Sequence, residues 1–563
     1  MADTNLSANE EALIKVIPSD EEILNLFTSW KKESEDYHNE LTNVAELTGE
    51  YYKGNQTDMS YLANYESHIV ENRLFFATES AIPIAASKKP SLQVIPPQNN
   101  ERAVEWANQV EKVVEYLLEE SDIEHKMEVS LRSLSSNRFY VWHPYFDVVK
   151  NEIDFRVVPT KNCWFPRNAW NNLSYFIELQ EYNFDDFVEI FGKDKLSDAF
   201  RVRPNENLTP LSESAQKYYI YAVWTKKWCA YIGNNKVLKT IEQPLWRIED
   251  KDGSKVKDFK DQKILNHFNY PKIPYIIGTI FEDGIQTVGA TSLAEQTIPM
   301  QDAINGVHRF MQDYLQTVGD PQILIDPAVM NEEEAQQLSS EPGRKYIASG
   351  IANENLFRRA KPPEMPQYVR DMLVISQQAF DNIYGTHASS RGERSGSPTL
   401  GQDTLMKQAD TGRIEAFAKV AARTLTELGN WYIQLMMIYY DEKRDIPVLN
   451  ESDELIFVEG FSNEMILEGV KLRAKPDTAL PDDKVSRASL YLQLAQMAMI
   501  RPLDLYKGLG LPDPETLESN LIQFNSGQVM AQTQAQTLSQ TPQGAIPQQP
   551  QPAAEGTEPV GVQ

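Results

Sequence analysis

Cysteine, histidine, long apolar runs and positive charge are all scarce in this 563-residue sequence. Two cysteines, Cys163 and Cys229, cannot build a disulfide framework, so a reducing cytoplasm is the expected setting. Seven histidines (His38, His68, His125, His143, His267, His308 and His387) are scattered, with no two at metal-ligand spacing. Each therefore reads as a surface or core histidine, and no metal or other cofactor is expected. No Gly-rich loop ends in Gly-Lys-Ser/Thr, and neither His-Glu-x-x-His nor Cys-x-x-Cys occurs, which argues against a Walker-type phosphate cradle and a zinc protease. No stretch approaches the ~18 consecutive apolar residues of a membrane span. Residues 1–18 lack the basic start and apolar core of a signal peptide. Acidic residues number 81 against 54 basic ones, a net charge of -27. That balance excludes a broad, sequence-independent grip on nucleic acid, because an acidic surface repels a polyanion.

What remains is an ordinary globular composition, 41% apolar and 24% charged, with room for about three or four domains. After a loose arm at residues 1–19, Ser19 and Glu22 form a capping box that predicts a helix from Asp20 with Leu24, Phe27 and Trp30 at helical spacing. Further helices are predicted over Tyr61–Ala81, ended by Pro83, and over Glu101–Glu120, where Trp106, Val110, Val113 and Leu117 share a face. Strand character follows. Phe139–Trp142 is a short apolar run, and Ile153, Phe155 and Val157 alternate with polar residues. Asn183 begins a short helix whose Asp185 and Asp186 complement the helix dipole. Tyr218–Trp224 and Trp228–Ile241 are strands, the second turned by Gly233-Asn234-Asn235. The reading is α+β and helix-rich, with helices first and an antiparallel sheet after.

From Gly289 the order of parts changes. A helix over Ser292–Thr317 is stopped by Gly319, Asp320 and Pro321. A small mixed module follows, with strands at Ile323–Ile325 and Tyr346–Ala348 and a short helix capped by Asn331 and Glu334. Pro362, Pro363 and Pro366 close it. Helical spacing resumes at Tyr368, with Met372, Ile375, Ala379 and Ile383 on one face. Gly385–Gln402 is a break holding four glycines. Its Gly392-Glu393-Arg394-Ser395-Gly396 approximates a nucleophile elbow, but the serine is displaced by one position and no strand precedes it. A helix over Asp403–Asp441 comes next, about 60 Å long if straight, with Gly412 a plausible kink. Leu455–Val458 and Val470–Ala474 read as strands. Lys484–Ile500 and a pair around Gly508–Pro514 read as helices. Residues 531–563 are Gln/Pro-rich and expected to be disordered.

This order is similar to that of tailed-bacteriophage portal proteins. Gly289-Ala-Thr-Ser292-Leu-Ala-Glu295, then Pro299-Met-Gln301-Asp-Ala-Ile-Asn305 and Arg309, resembles the start of the family's stem helix. Ile383-Tyr-Gly385-Thr with Ser395-Gly396 resembles its tunnel loop. Val157-Val-Pro159 with Trp164-Phe-Pro166 resembles a strand and loop of its wing, and Asn55-Gln56 with Asn72-Arg73-Leu-Phe its N-terminal helices. Ser136-Asn137-Arg138-Phe139 departs from the pattern, because many relatives have a Gly-rich pair there.

The resemblance implies a structural, non-enzymatic subunit of a ring, usually a dodecamer, that forms the DNA channel at one capsid vertex of the virion. Its parts would be a wing over 20–288, a first stem helix over 289–318, a clip over 319–366 and a second stem helix over 367–384. A tunnel loop over 385–402, a long wing helix over 403–441, and a β segment with helical crown over 442–530 would follow. His387, Arg391, Arg394, Ser395 and Gly396 would meet the backbone of double-stranded DNA through salt-dependent contacts. Arg344, Lys345, Arg358, Arg359 and Lys361 would contact neighbouring subunits or partners at the clip. The implied partners are further copies of the chain, the terminase, a major capsid or scaffolding protein and tail adaptors, with assembly in the host cytoplasm and no membrane. Another head–tail connector or tail component is the alternative, and a nucleic-acid-processing enzyme a more distant one.

Overall fold

Ser19 starts the first helix through its side chain. Its hydroxyl accepts from the Glu22 backbone NH at 3.4 Å, and the Glu22 carboxylate accepts from the Ser19 NH at 2.9 Å. Helix α1 then runs Asp20–Lys53 and ends at Gly54, whose φ of 94° suits glycine. The computed structural model describes residues 17–56, 67–87, 92–169, 173–204, 216–243, 245, 247–250, 262–268, 270–284, 288–319, 323–325, 333, 357–359, 364–385, 400–449, 455–466 and 470–474, with positions 501, 505, 506, 517 and 521.

Of the helix predicted over Tyr61–Ala81, residues 61–66 lie outside the described residues, 67–72 are not helical, and the described helix is α2, Arg73–Ser87. Asn72 accepts from the Phe75 NH at 3.1 Å, a cap that sets this later start. Pro83 lies inside α2 and does not end it. An interior proline costs about 3 kcal/mol. Burial of Leu74 and Ile82, each fully enclosed, contributes about 1.5–3 kcal/mol apiece and offsets it.

Strand β1 (Leu92–Ile95) and helix α3 (Glu101–Glu120) follow, the latter with its predicted bounds. Val110, Val113 and Leu117 are buried as their spacing predicts. Helix α4 (Ile123–Asn137) was not predicted. Its serines disguise the inward face. Ser130 donates back to Lys126 O at 2.6 Å and accepts from Trp142 Nε1 at 2.7 Å, so a polar residue sits in the core with its bonds satisfied.

Strands β2 (Phe139–Asp147) and β3 (Glu152–Val158) form a hairpin, followed by β4 (Cys163–Trp164), β5 (Tyr175–Tyr182) and α5 (Phe184–Phe191). Then come β6 (Tyr218–Thr225), β7 (Trp228–Gly233) and β8 (Lys236–Glu242). Asn234 and Asn235, at φ 45° and 60°, make the predicted turn between the last two. Strands β9 (Arg247–Asp250), β10 (Gln262–Leu265) and β11 (Ile276–Thr279) lead to helix α6 (Leu293–Gly319). Strands β12 (Ile323–Ile325) and β13 (Phe357–Arg359) precede α7 (Tyr368–Tyr384), and α8 covers Leu400–Tyr439. Helix α8 therefore starts three residues before the predicted Asp403, and Gly401 lies in its first turn, where a glycine disturbs little. Strands β14 (Arg444–Leu449), β15 (Leu455–Phe461) and β16 (Lys471–Ala474) follow.

The protein is α+β. The largest sheet has the order β4-β5-β6-β7-β8, a second is β11-β2-β3, and four two-stranded pairs are β1-β16, β9-β10, β12-β13 and β14-β15. Residues 1–476 form one unit and 477–563 another. The second falls almost wholly outside the described residues, including the helices predicted over 484–500 and about 508–514 and the 531–563 tail. In the first unit α8 is the central element. Leu425, Leu428, Trp431, Tyr432, Leu435 and Met436 are all fully buried. Tyr140 Oη meets Thr424 Oγ1 at 2.7 Å, and Tyr432 Oη meets Ser121 Oγ at 2.8 Å, tying α8 to β2 and to the end of α3. At Gly429 a Cβ would stand 2.9 Å from Leu472, so glycine lets the β1–β16 pair approach the helix.

Candidate functional site

Helix α6 begins with a second capping box that was not predicted. Glu295 NH donates to Ser292 Oγ at 3.2 Å, and Ser292 NH donates to the Glu295 carboxylate at 2.9 Å. The same carboxylate receives Arg138 from the α4–β2 turn, at 2.7 Å to each oxygen. Arg138 also reaches Glu40 at 2.8 Å. Arg138 adopts φ 70°, so the turn at 136–139 does require a left-handed residue, although the sequence has no glycine there.

Helices α6 and α7 form a pair. They run in opposite directions, since the segment at residues 71–73 contacts Gln301 and Asp381 through Arg73 but His308 and Gln377 through Glu71. The inner ends are anchored. Ala294, Thr297, Gln301, Ile304 and Asn305 are buried on α6, and Phe380, Asp381 and Tyr384 on α7. Tyr384 Oη lies 2.7 Å from both Thr78 Oγ1 and Ser135 Oγ. Past Asn305 no described side chain of α6 is buried. There the pair presents apolar groups to solvent: Phe310, Leu315 and Val318 on α6, and Tyr368, Met372, Val374 and Ile375 on α7. Leu315 is 60% exposed and Ile375 58%.

The predicted apolar face of α7 is therefore not the face this chain buries. Met372 and Ile375 are exposed, Ala379 and Ile383 half-buried. The inward face is Val369, Ser376, Phe380 and Tyr384, in which a serine interrupts the hydrophobic pattern. At the far end of the pair, β12 and β13 are antiparallel, with Leu324 opposite Arg358 and Ile323 opposite Arg359. Arg344, Lys345 and Lys361 lie outside the described residues, and so do His387, Arg391, Arg394, Ser395, Gly396 and the predicted strand Tyr346–Ala348.

Buried titratable groups cluster elsewhere, beneath the β2–β3 hairpin. Arg156 donates to both oxygens of Glu178 at 2.5 and 2.6 Å, and Tyr275 Oη donates to the same carboxylate at 2.6 Å. Burial alone would raise the Glu178 pKa, but the Arg156 charge and its hydrogen bonds outweigh this and hold the carboxyl below its usual range. His143 stacks on Tyr275 and shares a 2.8 Å hydrogen bond with Pro274 O. Burial, aided by the Arg156 charge, pushes the His143 imidazole down to about 4. Burial pushes the thiols of Cys163 and Cys229 up, so neither is poised as a thiolate. Glu178, Tyr275 and His143 are buried, and Arg156, more than a third exposed, closes the network from its edge, which is the arrangement of a structural ion pair.

A cavity of about 510 Å³ between α1, α4 and the end of β3 is lined by Thr42, Gly49, Lys53, Asn137 and Lys161, among others, and contains neither histidine nor cysteine. Among the described residues, no group of three His, Cys, Asp or Glu stands close enough to hold a metal ion. Among them, too, no helix is long and apolar enough to cross a membrane. No protein-family model matches the sequence, and no curated protein matches it. The α6–α7 pair, with its bare apolar flank, is therefore the feature to explain.

Proposed function

We propose that this chain is a structural subunit of a homo-oligomeric ring, a portal-type DNA channel of a tailed-phage virion. The observation that carries the reading is the outer half of the α6–α7 pair. Contiguous exposed apolar surface is costly, and where it occurs it usually marks an interaction site. Here seven large apolar side chains stand exposed on the outer parts of two adjacent helices that flank a small strand pair, in the order the portal resemblance implies. In a ring these flanks would pack copy against copy, a heterologous contact that closes by rotation. In this reading α6 and α7 are the stem, the β12–β13 region the clip and α8 the long wing helix. The segment before α8, with His387, Arg391, Arg394, Ser395 and Gly396, faces the lumen. DNA would pass during packaging and ejection through many weak phosphate contacts, its sliding eased by an acidic wall. The terminase, and then tail adaptors, would dock at the clip end near Arg344, Lys345, Arg358, Arg359 and Lys361. The chain itself would catalyse nothing.

Native mass spectrometry and electron microscopy test this. A closed ring, commonly of about twelve copies, is expected under assembly conditions. A chain that stays monomeric at every concentration and under every assembly trigger overturns the proposal. A ring whose 386–399 segments point outward overturns the DNA-contact part alone.

A further inference from the structure

Residues 67–73 cross the α6–α7 pair at the level where burial ends on α6. Gln301 and Asn305, one turn apart on α6 and both fully buried, bind the backbone of this segment. Gln301 Oε1 accepts from the NH groups of Arg73 and Leu74 at 3.1 and 3.2 Å, and its Nε2 donates to Glu71 O at 2.6 Å. Asn305 Oδ1 accepts from the Glu71 NH at 3.1 Å. The segment is thus fixed to α6 by its main chain.

Its side chains then span the pair. The Glu71 carboxylate meets His308 Nε2 on α6 at 2.5 Å, Gln377 Nε2 on α7 at 3.1 and 3.2 Å, and Arg73 Nη1 on α2 at 3.2 Å. Arg73 continues onto α7, with two guanidinium nitrogens on Asp381 at 3.1 and 2.7 Å. Three elements converge on one carboxylate. Arg73 and Asp381 are well covered, at 14% and 12% side-chain exposure, whereas Glu71 and His308 are 32% and 27% exposed. Water can replace partners at the Glu71 node but not readily at Arg73–Asp381.

We propose that segment 67–73 is a clasp on the helix pair and that Glu71 is its releasable catch. With the catch closed, the outer half of the pair is held against the body. With it open, that half moves as a unit, while Ile304, Phe380 and Tyr384 keep the inner ends in the core. The clasp is built within one chain and does not depend on the ring reading.

Hydrogen exchange measured on the full, unassembled chain tests it. Glu71→Ala should speed amide exchange in 306–316 and 369–377 together, by about tenfold, as loss of a charge-assisted node implies. The β2–β3 hairpin at 139–158 should be unchanged. Glu71→Gln keeps one acceptor oxygen and should give a smaller rise in the same two stretches. Unchanged exchange in both helices overturns the proposal. So does an equal rise at 139–158, which marks general loss of stability. If the alanine variant does not fold, the glutamine variant decides: no rise in the two helices sinks the clasp. Ring formation is read separately by mass, so the two proposals fail independently.

Discussion

Arg138 grips Glu295 through two hydrogen bonds of 2.7 Å while its own backbone sits at φ 70°. A left-handed backbone costs a non-glycine residue about 1–2 kcal/mol. The guanidinium, 8% exposed, repays this by joining Glu295 on α6 to Glu40 on α1. Arg138→Gly removes both strain and grip, whereas Arg138→Ala removes the grip and keeps the strain. Both should lower the urea midpoint, and alanine should be the less stable by about 1 kcal/mol. An alanine variant as stable as the glycine variant would show that the turn is unstrained.

The Arg156–Glu178 pair should behave asymmetrically. Glu178 is 1% exposed and Arg156 36%. Arg156→Met strands a buried carboxylate and should cost about 3–5 kcal/mol. Adding Glu178→Gln should recover more than half of that loss, because no charge is left uncompensated. Denaturant titration of the two single variants and the double variant measures the coupling. Additive losses would mean the two groups do not interact.

Acid should weaken the fold through His143. Its folded pKa is about 4, below the ordinary ~6.5 of an unfolded chain. Between those values the unfolded chain binds the extra proton. Stability therefore rises with pH across this window and is lost as pH falls through it, by up to ~3 kcal/mol. His38 and His267, also lowered by burial, act in the same direction. The drop in Tm between pH 7 and pH 4.5 should shrink, without vanishing, in His143→Gln. An unchanged drop would remove His143 from the account.

Substitutions on the two faces of α7 should separate folding from assembly. Met372→Lys and Ile375→Lys lie on exposed positions and should shift monomer stability by no more than about 0.5 kcal/mol. They should still reduce ring formation measured by native mass. Phe380→Lys, on the buried face, should unfold the chain. Rings forming normally with lysine at both 372 and 375 would contradict the proposed packing.

Local signals translated reliably into local structure. Ser19 with Glu22, the Glu101–Glu120 stripe and Asn234-Asn235 each produced the predicted element, because cap, periodicity and turn chemistry act within a few residues. The failures share a different cause. Helix α4 and the inward face of α7 are built around Ser130, Ser135 and Ser376, which read as solvent-facing although all three are buried, Ser130 bonded to Trp142 and Ser135 to Tyr384. Pro83 reads as a stop because the burial that offsets it comes from distant elements. Strand β1 has a partner, β16, almost four hundred positions away, so no short window contains both. The clasp was equally invisible. Glu71 and Gln377 are 306 positions apart, and neither residue type marks a site by itself. Of the residues predicted to meet DNA or partners, only the backbones of Arg358 and Arg359 fall within the described chain.

The central place of α8 also sets an order of events in the cell. Tyr140 and its partner Thr424 are separated by 284 positions. At a synthesis rate of about 5–20 residues per second, some 15–60 s pass between the two leaving the ribosome. For that interval β2, the end of α3 and β1 have no central helix to close on. Their apolar faces are then open to other nascent chains. Yield in a host short of holding chaperones should therefore fall before any defect in the finished protein is visible.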